Sequence, residues 1–130
     1  MTEGIVDFSE WEKLDLRVGQ IEKVEDIEGA DKLYKLSVDI GDEMRIVCAG
    51  LKEHYSKEEL EGKKIILFVN LAPRKMRGIE SQGMILACVS SEEGSHPPTP
   101  ISESQRGEAQ KEKVVLISPE NDIEVGSRVR

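Results

Sequence analysis

The chain has 130 residues, a size that suits one domain around a single core. Hydrophobic residues make up 38% and charged residues 34%, and no apolar run approaches the roughly 20 residues of a helical membrane span, so a globular chain is expected and a membrane helix is not. The net charge of −8 argues against a polyanionic partner until its distribution is read: Gly62–Gly78 holds Lys63, Lys64, Arg74, Lys75 and Arg77 and no acid. A local cationic site on an acidic body can hold a polyanion while the body repels it elsewhere, which favours one docking pose.

Phe8, Trp11 and Leu14 recur at a spacing of three with polar residues between. That predicts a short amphipathic helix within residues 1–13, with Ser9 as its N-cap, packed as a plug against the core. The N-terminus shows neither the basic flank nor the apolar run of a signal peptide, so a cytoplasmic protein is expected. Leu16–Val24 reads as a first strand, interrupted by Gly19 as a bulge or tight bend would interrupt it. After a turn at Asp26–Lys32, Tyr34, Leu36, Val38 and Ile40 alternate with Lys35, Ser37 and Asp39, a second strand with one buried face. Gly41-Asp42-Glu43 turns it into a third strand, Met44–Ala49.

Ser56-Lys57-Glu58-Glu59 has the spacing of a capping box, which starts a helix that Gly62 stops. Lys64–Leu71 is nearly continuously apolar and is expected to be buried on both faces; Pro73 ends it. Met84–Ser90 is the fifth strand. Three strands, a helix and two strands is the order of an all-β OB-fold, a five-stranded Greek-key barrel with its helix between the third and fourth strands. In that fold the loops joining strands one to two and four to five commonly contact nucleic acid. Here they are Asp26–Lys32 and Ala72–Gly83, and the second carries Arg74, Lys75 and Arg77. The barrel is thus expected over 14–90.

Ser91–Lys113 holds three prolines, many serines and glutamates, and Ile101 as its sole large aliphatic residue. It is expected to be a flexible loop. Val114–Ser118 reads as a further strand in a C-terminal extension over 114–130. Its apolar residues have no place in a five-stranded barrel, and they predict a surface that covers the barrel or pairs with a second copy in a homodimer.

Cys48 and Cys88 sit in separate apolar runs with no CxxC spacing, and are expected as reduced core residues rather than a disulfide or metal site. His54 and His96 are the histidines. Neither has an orienting acid or an oxyanion donor marked beside it, so a catalytic site, metal or cofactor is not expected. Phe8, Trp11, Tyr34, Tyr55 and Phe68 are the aromatic residues. They are too few and too apolar in context for a single-strand binder built on stacking rings, so any RNA is expected to be read by its folded shape.

LDLRVG (Leu14–Gly19), GADKLY (Gly29–Tyr34) and above all NLAPRKMRGIESQGM (Asn70–Met84) resemble the tRNA-binding domain family. Its members include a free-standing dimeric tRNA-binding protein, the C-terminal domain of bacterial methionyl-tRNA synthetases and domains of eukaryotic synthetase-associated cofactors. The resemblance runs from Leu14 to Ser90 and resumes at Val114–Val129, although Ser91–Lys113 is longer than the family's usual link. It implies a non-catalytic, structure-specific tRNA-binding protein that grips the outer corner of folded tRNA. It also implies a homodimer, of the type labelled a methionyl-tRNA synthetase beta subunit, that partners the catalytic subunit of that synthetase.

Carried onto this chain, the implied tRNA contacts are Asn70, Arg74, Lys75, Met76, Arg77, Ser81, Gln82 and Met84, with Lys32 added from the neighbouring loop. The three cations would meet phosphates. Asn70, Ser81 and Gln82 would offer polar groups to 2′-hydroxyls, phosphates or a base edge. Asn70 and Ser81 could equally tie the loop to its own backbone, and Met76 and Met84 could be packing residues. The alternative function is a dimeric OB-fold peptide-binding chaperone of the secretion type, which would not need the polar and cationic loop.

Overall fold

The structure, a computed structural model, describes residues 4–91 and 112–130. The expected flexible loop therefore falls mostly outside the described residues. Nine strands and two one-turn helices appear among those described: α1 (Phe8–Trp11), β1 (Leu16–Asp26), β2 (Tyr34–Asp39), β3 (Met44–Ala49), α2 (Lys57–Leu60), β4 (Lys64–Phe68), β5 (Arg74–Met76), β6 (Ile79–Ser81), β7 (Met84–Ile85), β8 (Ala87–Ser91) and β9 (Glu112–Leu116).

A five-stranded antiparallel sheet in the order β3-β2-β1-β4-β7 curls into a nearly closed, OB-fold-like barrel. The long strand β1 makes the curl possible. Its first half, Leu16–Gln20, pairs with β4, and its second half, Gln20–Asp26, pairs with β2 on the opposite edge. The bulge lies between Ile21 and Lys23, not at Gly19. Gly19 answers a different need: a β-carbon there would stand 2.7 Å from Val38 Cγ1, so β1 can cross β2 this closely only without a side chain.

The barrel interior is filled by alternate residues of each strand, among them Ile21, Leu36, Val38, Val47, Ile65 and Leu67, with Leu60 of α2 closing one end. The capping box forms as the sequence requires: Ser56 Oγ accepts the Glu59 amide and Glu59 Oε1 accepts the Ser56 amide. This one-turn helix has few bonds of its own, so the reciprocal cap and the burial of Leu60 carry it.

Strand β4 is buried on both faces, as its apolar run predicts. Ile65 and Leu67 face the barrel, while Ile66 joins Leu16 and Val18 in a second cluster outside it. Trp11, Phe68, Leu86 and Val129 cover that outer cluster. Of the expected N-terminal plug only Trp11 packs; Phe8 is 68% exposed and Leu14 37%.

The fifth strand departs from expectation. Met84–Ser90 divides at Leu86, whose N–H donates to Ile66 O on β4 and whose C=O accepts from Ile117. β7 thus stays with the barrel, while β8 leaves to pair with β9. Strand pairing begins at Ser91 and Glu112, inside the bounds expected for the loop. β9 places Leu116 in the barrel core, with Val114 packed against it. The C-terminal segment then completes the free edge of β1: Val18 N–H donates to Ser127 O, and the Gly126 and Val129 amides donate to Val18 O and Leu16 O. The extension is therefore largely consumed within its own chain, leaving Val115, Ile117 and Ile123 exposed.

Candidate nucleic-acid interface

The segment expected as an open loop is a β-hairpin. β5 and β6 pair through Arg74↔Ser81, Lys75↔Glu80 and Met76↔Ile79. Arg77 and Gly78 form its two-residue turn with φ values of 52° and 82°. Positive φ at both central positions is the geometry that continues the twist of the flanking strands, and it normally selects Asn-Gly or Gly-Gly. Gly78 adopts it without cost. Arg77 is the described non-glycine residue with positive φ, an unfavourable backbone that places a guanidinium at the hairpin tip.

One face of the hairpin is anchored. Met76 and Ile79 pack on a third apolar cluster built from Ile27 and Ala30 of the β1–β2 loop and Cys48 of β3. The two loops that an OB barrel offers to nucleic acid are thereby joined into one surface. Met76 serves that packing, which was one of the two roles its sequence context left open. On the opposite face Lys75 stands across from Glu80. Arg74, Lys75 and Arg77 are exposed, and among the described residues none makes an ion pair.

The polar residues flanking the hairpin build its base. Asn70 Nδ2 donates to Lys13 O at 2.7 Å, and its Oδ1 accepts the Asp15 amide at 2.8 Å. Gln82 Oε1 accepts the Ile46 amide, while the Gln82 amide donates to Ile46 O. Ser81 is buried; its Oγ accepts the Cys48 amide and donates to Gly83 O. Ser81 and Gln82 therefore supply with side chains the bonds that close the barrel between β3 and the start of β7. Asn70 remains exposed, Gln82 is half-buried, and Met84 is 42% exposed beside Phe68.

The structure divides the cationic run of the sequence. Lys63 and Lys64 lie at the start of β4, and the hairpin cations lie beyond its end. Lys64 is occupied, donating to Asp122 at 2.7 Å and to Ile123 O; it holds the Asp122 carboxyl below the usual carboxylate range. Lys32 is exposed in the β1–β2 loop, and its carbonyl accepts the Lys52 amide.

A shallow cleft beside the hairpin is lined by Glu25, Asp26, Ile27, Glu28, Lys35, Arg77 and Ile79. Two of its acids are already compensated. Glu25 lies 3.4 Å from Lys23 and 3.7 Å from Lys35, and Asp26 lies 2.9 Å from Lys57 and 3.2 Å from Lys52. Hydrogen bonding from Lys57, then from Lys52, pulls the Asp26 carboxyl below its ordinary range. Lys35 was not singled out from the sequence, because only strand register brings the polar face of β2 to this cleft.

Cys48 is buried and Cys88 exposed, both free, so Cys88 is not the core residue expected. Among the described residues no cluster of side chains could hold a metal ion, and no helix is long and apolar enough to cross a membrane.

Comparison with known proteins agrees with this architecture. A methionine–tRNA ligase of Thermococcus kodakarensis is 42% identical over 125 residues, which are 96% of this chain and 14% of that ligase. One from Methanococcus aeolicus is 46% identical over 126 residues, 97% of this chain and 15% of the ligase. The chain thus spans about a seventh of the length of these curated relatives. Among solved structures, a MetRS-related protein from Pyrococcus horikoshii is similar with a TM-score of 0.76 and 37% identity, covering 97% of this chain and 98% of that one. The CsaA chaperone protein of Picrophilus torridus has a TM-score of 0.72 and 27% identity, covering 97% and 100%. The family profile of the tRNA binding domain matches residues 16–128, and the chain belongs to that family.

Proposed function

We propose that this chain binds folded tRNA through the β5–β6 hairpin, acting beside a methionyl-tRNA synthetase rather than as a catalyst. The observation that carries this reading is the exposed trio Arg74, Lys75 and Arg77, without an ion-pair partner among the described residues, on an otherwise acidic body and inside the stretch matched by the tRNA-binding-domain family. Arg74 and Arg77 can each bracket a phosphate with two parallel bonds, while Lys75 acts as a point charge tempered by Glu80. Lys32, exposed in the β1–β2 loop, adds a further cation, whereas Lys35 is engaged by Glu25. Asn70, Ser81 and Gln82 contribute through the backbone they hold, and Asn70 and Met84 have exposed surface to offer.

Phosphate contacts position a protein without carrying sequence information. The hairpin should therefore prefer folded tRNA yet discriminate poorly among tRNAs, and selectivity for methionine tRNA would come from the synthetase partner. Joining two modest sites raises overall affinity by roughly 10²-fold or more through effective concentration. A homodimer is part of this reading, supported by the exposed apolar residues Ile5, Val6, Phe8, Val115, Ile117 and Ile123. The test is competition for bound labelled tRNA by methionine tRNA, two unrelated tRNAs, heat-unfolded tRNA in chelator, and poly-U. Similar competition by the three folded tRNAs and weak competition by the rest supports shape reading; equal competition by poly-U rejects it.

The likeness to a CsaA chaperone protein, over 97% of this chain, supports a second reading, a dimeric peptide-binding chaperone. It separates from the first because suppression of aggregation of a denatured client should not depend on Arg74 and Arg77.

A further inference from the structure

We infer that Arg45, a strand residue outside the hairpin, is a positioning residue for tRNA binding that acts by clamping the hairpin's neck. The inference rests on the tRNA reading above. Arg45 lies on β3 opposite Val38, with its side chain only 23% exposed. Its Nη1 donates to two carbonyls, Val69 O and Gln82 O, each at 3.0 Å. Its Nε donates to Glu43 Oε2.

The two carbonyls mark the place where the chain leaves the barrel and returns to it. The β4–β7 ladder ends at Phe68↔Met84. Val69 and Gln82 lie just beyond that last pair: the Val69 amide donates to Asp15 O and the Gln82 amide to Ile46 O, so each is held to a different neighbour and no ladder bond joins the two directly. One guanidinium therefore spans the gap and sets the width of the neck from which Arg74, Lys75 and Arg77 project.

Arg45 is poorly suited to bind phosphate itself. It is mostly buried, and Nε and Nη1 already have partners. A rigid planar fork suits the task because Nε must meet a carboxylate while Nη1 meets two carbonyls; a lysine ammonium on its flexible stem cannot hold all three in one geometry. An RNA ligand that meets several phosphates at once gains most when the cations are held in one arrangement, since less ordering is then paid for on binding. The other anchors of the hairpin hold one side each: Asn70 the outgoing strand, Ser81 and Gln82 the returning one. Arg45 joins the two.

The experiment is a double-mutant cycle on tRNA affinity in the full chain, combining Arg45→Met with Arg74→Ala/Arg77→Ala, and repeated with Arg45→Lys. Folding of each variant is checked by circular dichroism and a thermal melt. If Arg45 acts through the hairpin, Arg45→Met weakens tRNA binding about tenfold in the wild-type background and less than about twofold once Arg74 and Arg77 are gone. Arg45→Lys, which keeps the charge, falls between wild type and Arg45→Met. If Arg45→Met is unfolded at the assay temperature, Arg45→Lys alone carries the cycle with the same required non-additivity. Equal loss in both backgrounds, or no loss in either, overturns the inference. Failure of Arg74→Ala/Arg77→Ala to weaken binding instead overturns the tRNA reading on which it rests.

Discussion

The Ser81 hydroxyl accepts the Cys48 amide at 3.0 Å, standing where the carbonyl of a paired strand would otherwise stand. Ser81 is 4% exposed and Cys48 7%, so no water replaces that bond if it is lost. Ser81→Ala leaves a buried amide unsatisfied and should destabilise the chain by about 1–3 kcal/mol. The salt dependence of tRNA affinity should stay as it was, because no phosphate-binding group is removed. Chemical denaturation and a salt titration of the variant check both. Unchanged stability with weakened tRNA binding would instead make Ser81 a ligand contact.

Arg77 separates function from folding in the opposite sense. It holds φ at 52° in a two-residue hairpin turn, a conformation that asparagine adopts more readily. Arg77→Asn should keep the stability of the chain or raise it by a few tenths of a kcal/mol, while weakening tRNA binding about three- to tenfold. Thermal melts and equilibrium binding measure the two effects. A loss of stability with unaltered affinity would show that the guanidinium serves the fold.

Asp15 gives a pH dependence. Its carboxylate meets Arg17 through two bonds of 3.0 Å, and Arg128 lies 3.8 Å away. Hydrogen bonding from Arg17 holds the carboxyl below its ordinary value; burial opposes the shift, and the charges of Arg17, Arg128 and Arg45 reinforce it. Because the folded state favours the ionised form, this stabilisation is complete above the unfolded pKa of about 3.9 and is lost as pH falls through the lower folded value. Asp15→Asn should cost about 1 kcal/mol at neutral pH and flatten the decline in stability below about pH 4. Denaturation midpoints at a series of pH values test it; identical profiles for variant and wild type would contradict it.

The exposed Val115, Ile117 and Ile123, together with Ile5, Val6 and Phe8, predict self-association into a closed dimer. Sedimentation equilibrium at micromolar protein should give twice the 14.5 kDa chain mass. The monomer mass would reject the dimer, and the apolar surface would then need another partner.

Strand order and the capping box were legible in the sequence because they are local: the alternation over Tyr34–Ile40, the apolar run of β4 and Ser56-x-x-Glu59 each need only neighbouring residues. The cationic hairpin was found as residues but not as a shape. Its turn uses Arg-Gly where Asn-Gly is the usual signal, and its strands have three residues each. What the sequence hid was long-range. The split at Leu86, the run of the C-terminal segment along β1, and Arg45 reaching carbonyls 24 and 37 residues away follow from the curl of the barrel. For the same reason the backbone bonds of Asn70, Ser81 and Gln82 had no local signature: the sequence left Asn70 and Ser81 open between ligand contact and loop anchor, and the partners, at Lys13, Asp15, Ile46 and Cys48, are far away along the chain.

The central claim is that the hairpin cations meet tRNA phosphates, and the salt dependence of affinity tests it most directly. If Arg74, Lys75 and Arg77 each neutralise a phosphate, a plot of log affinity against log salt should fall with a slope of roughly −2 to −3 per protomer through counterion release. Arg74→Ala/Arg77→Ala should flatten that slope by about one unit for each contact removed. A double variant with the wild-type slope and affinity would place the tRNA site elsewhere on the molecule.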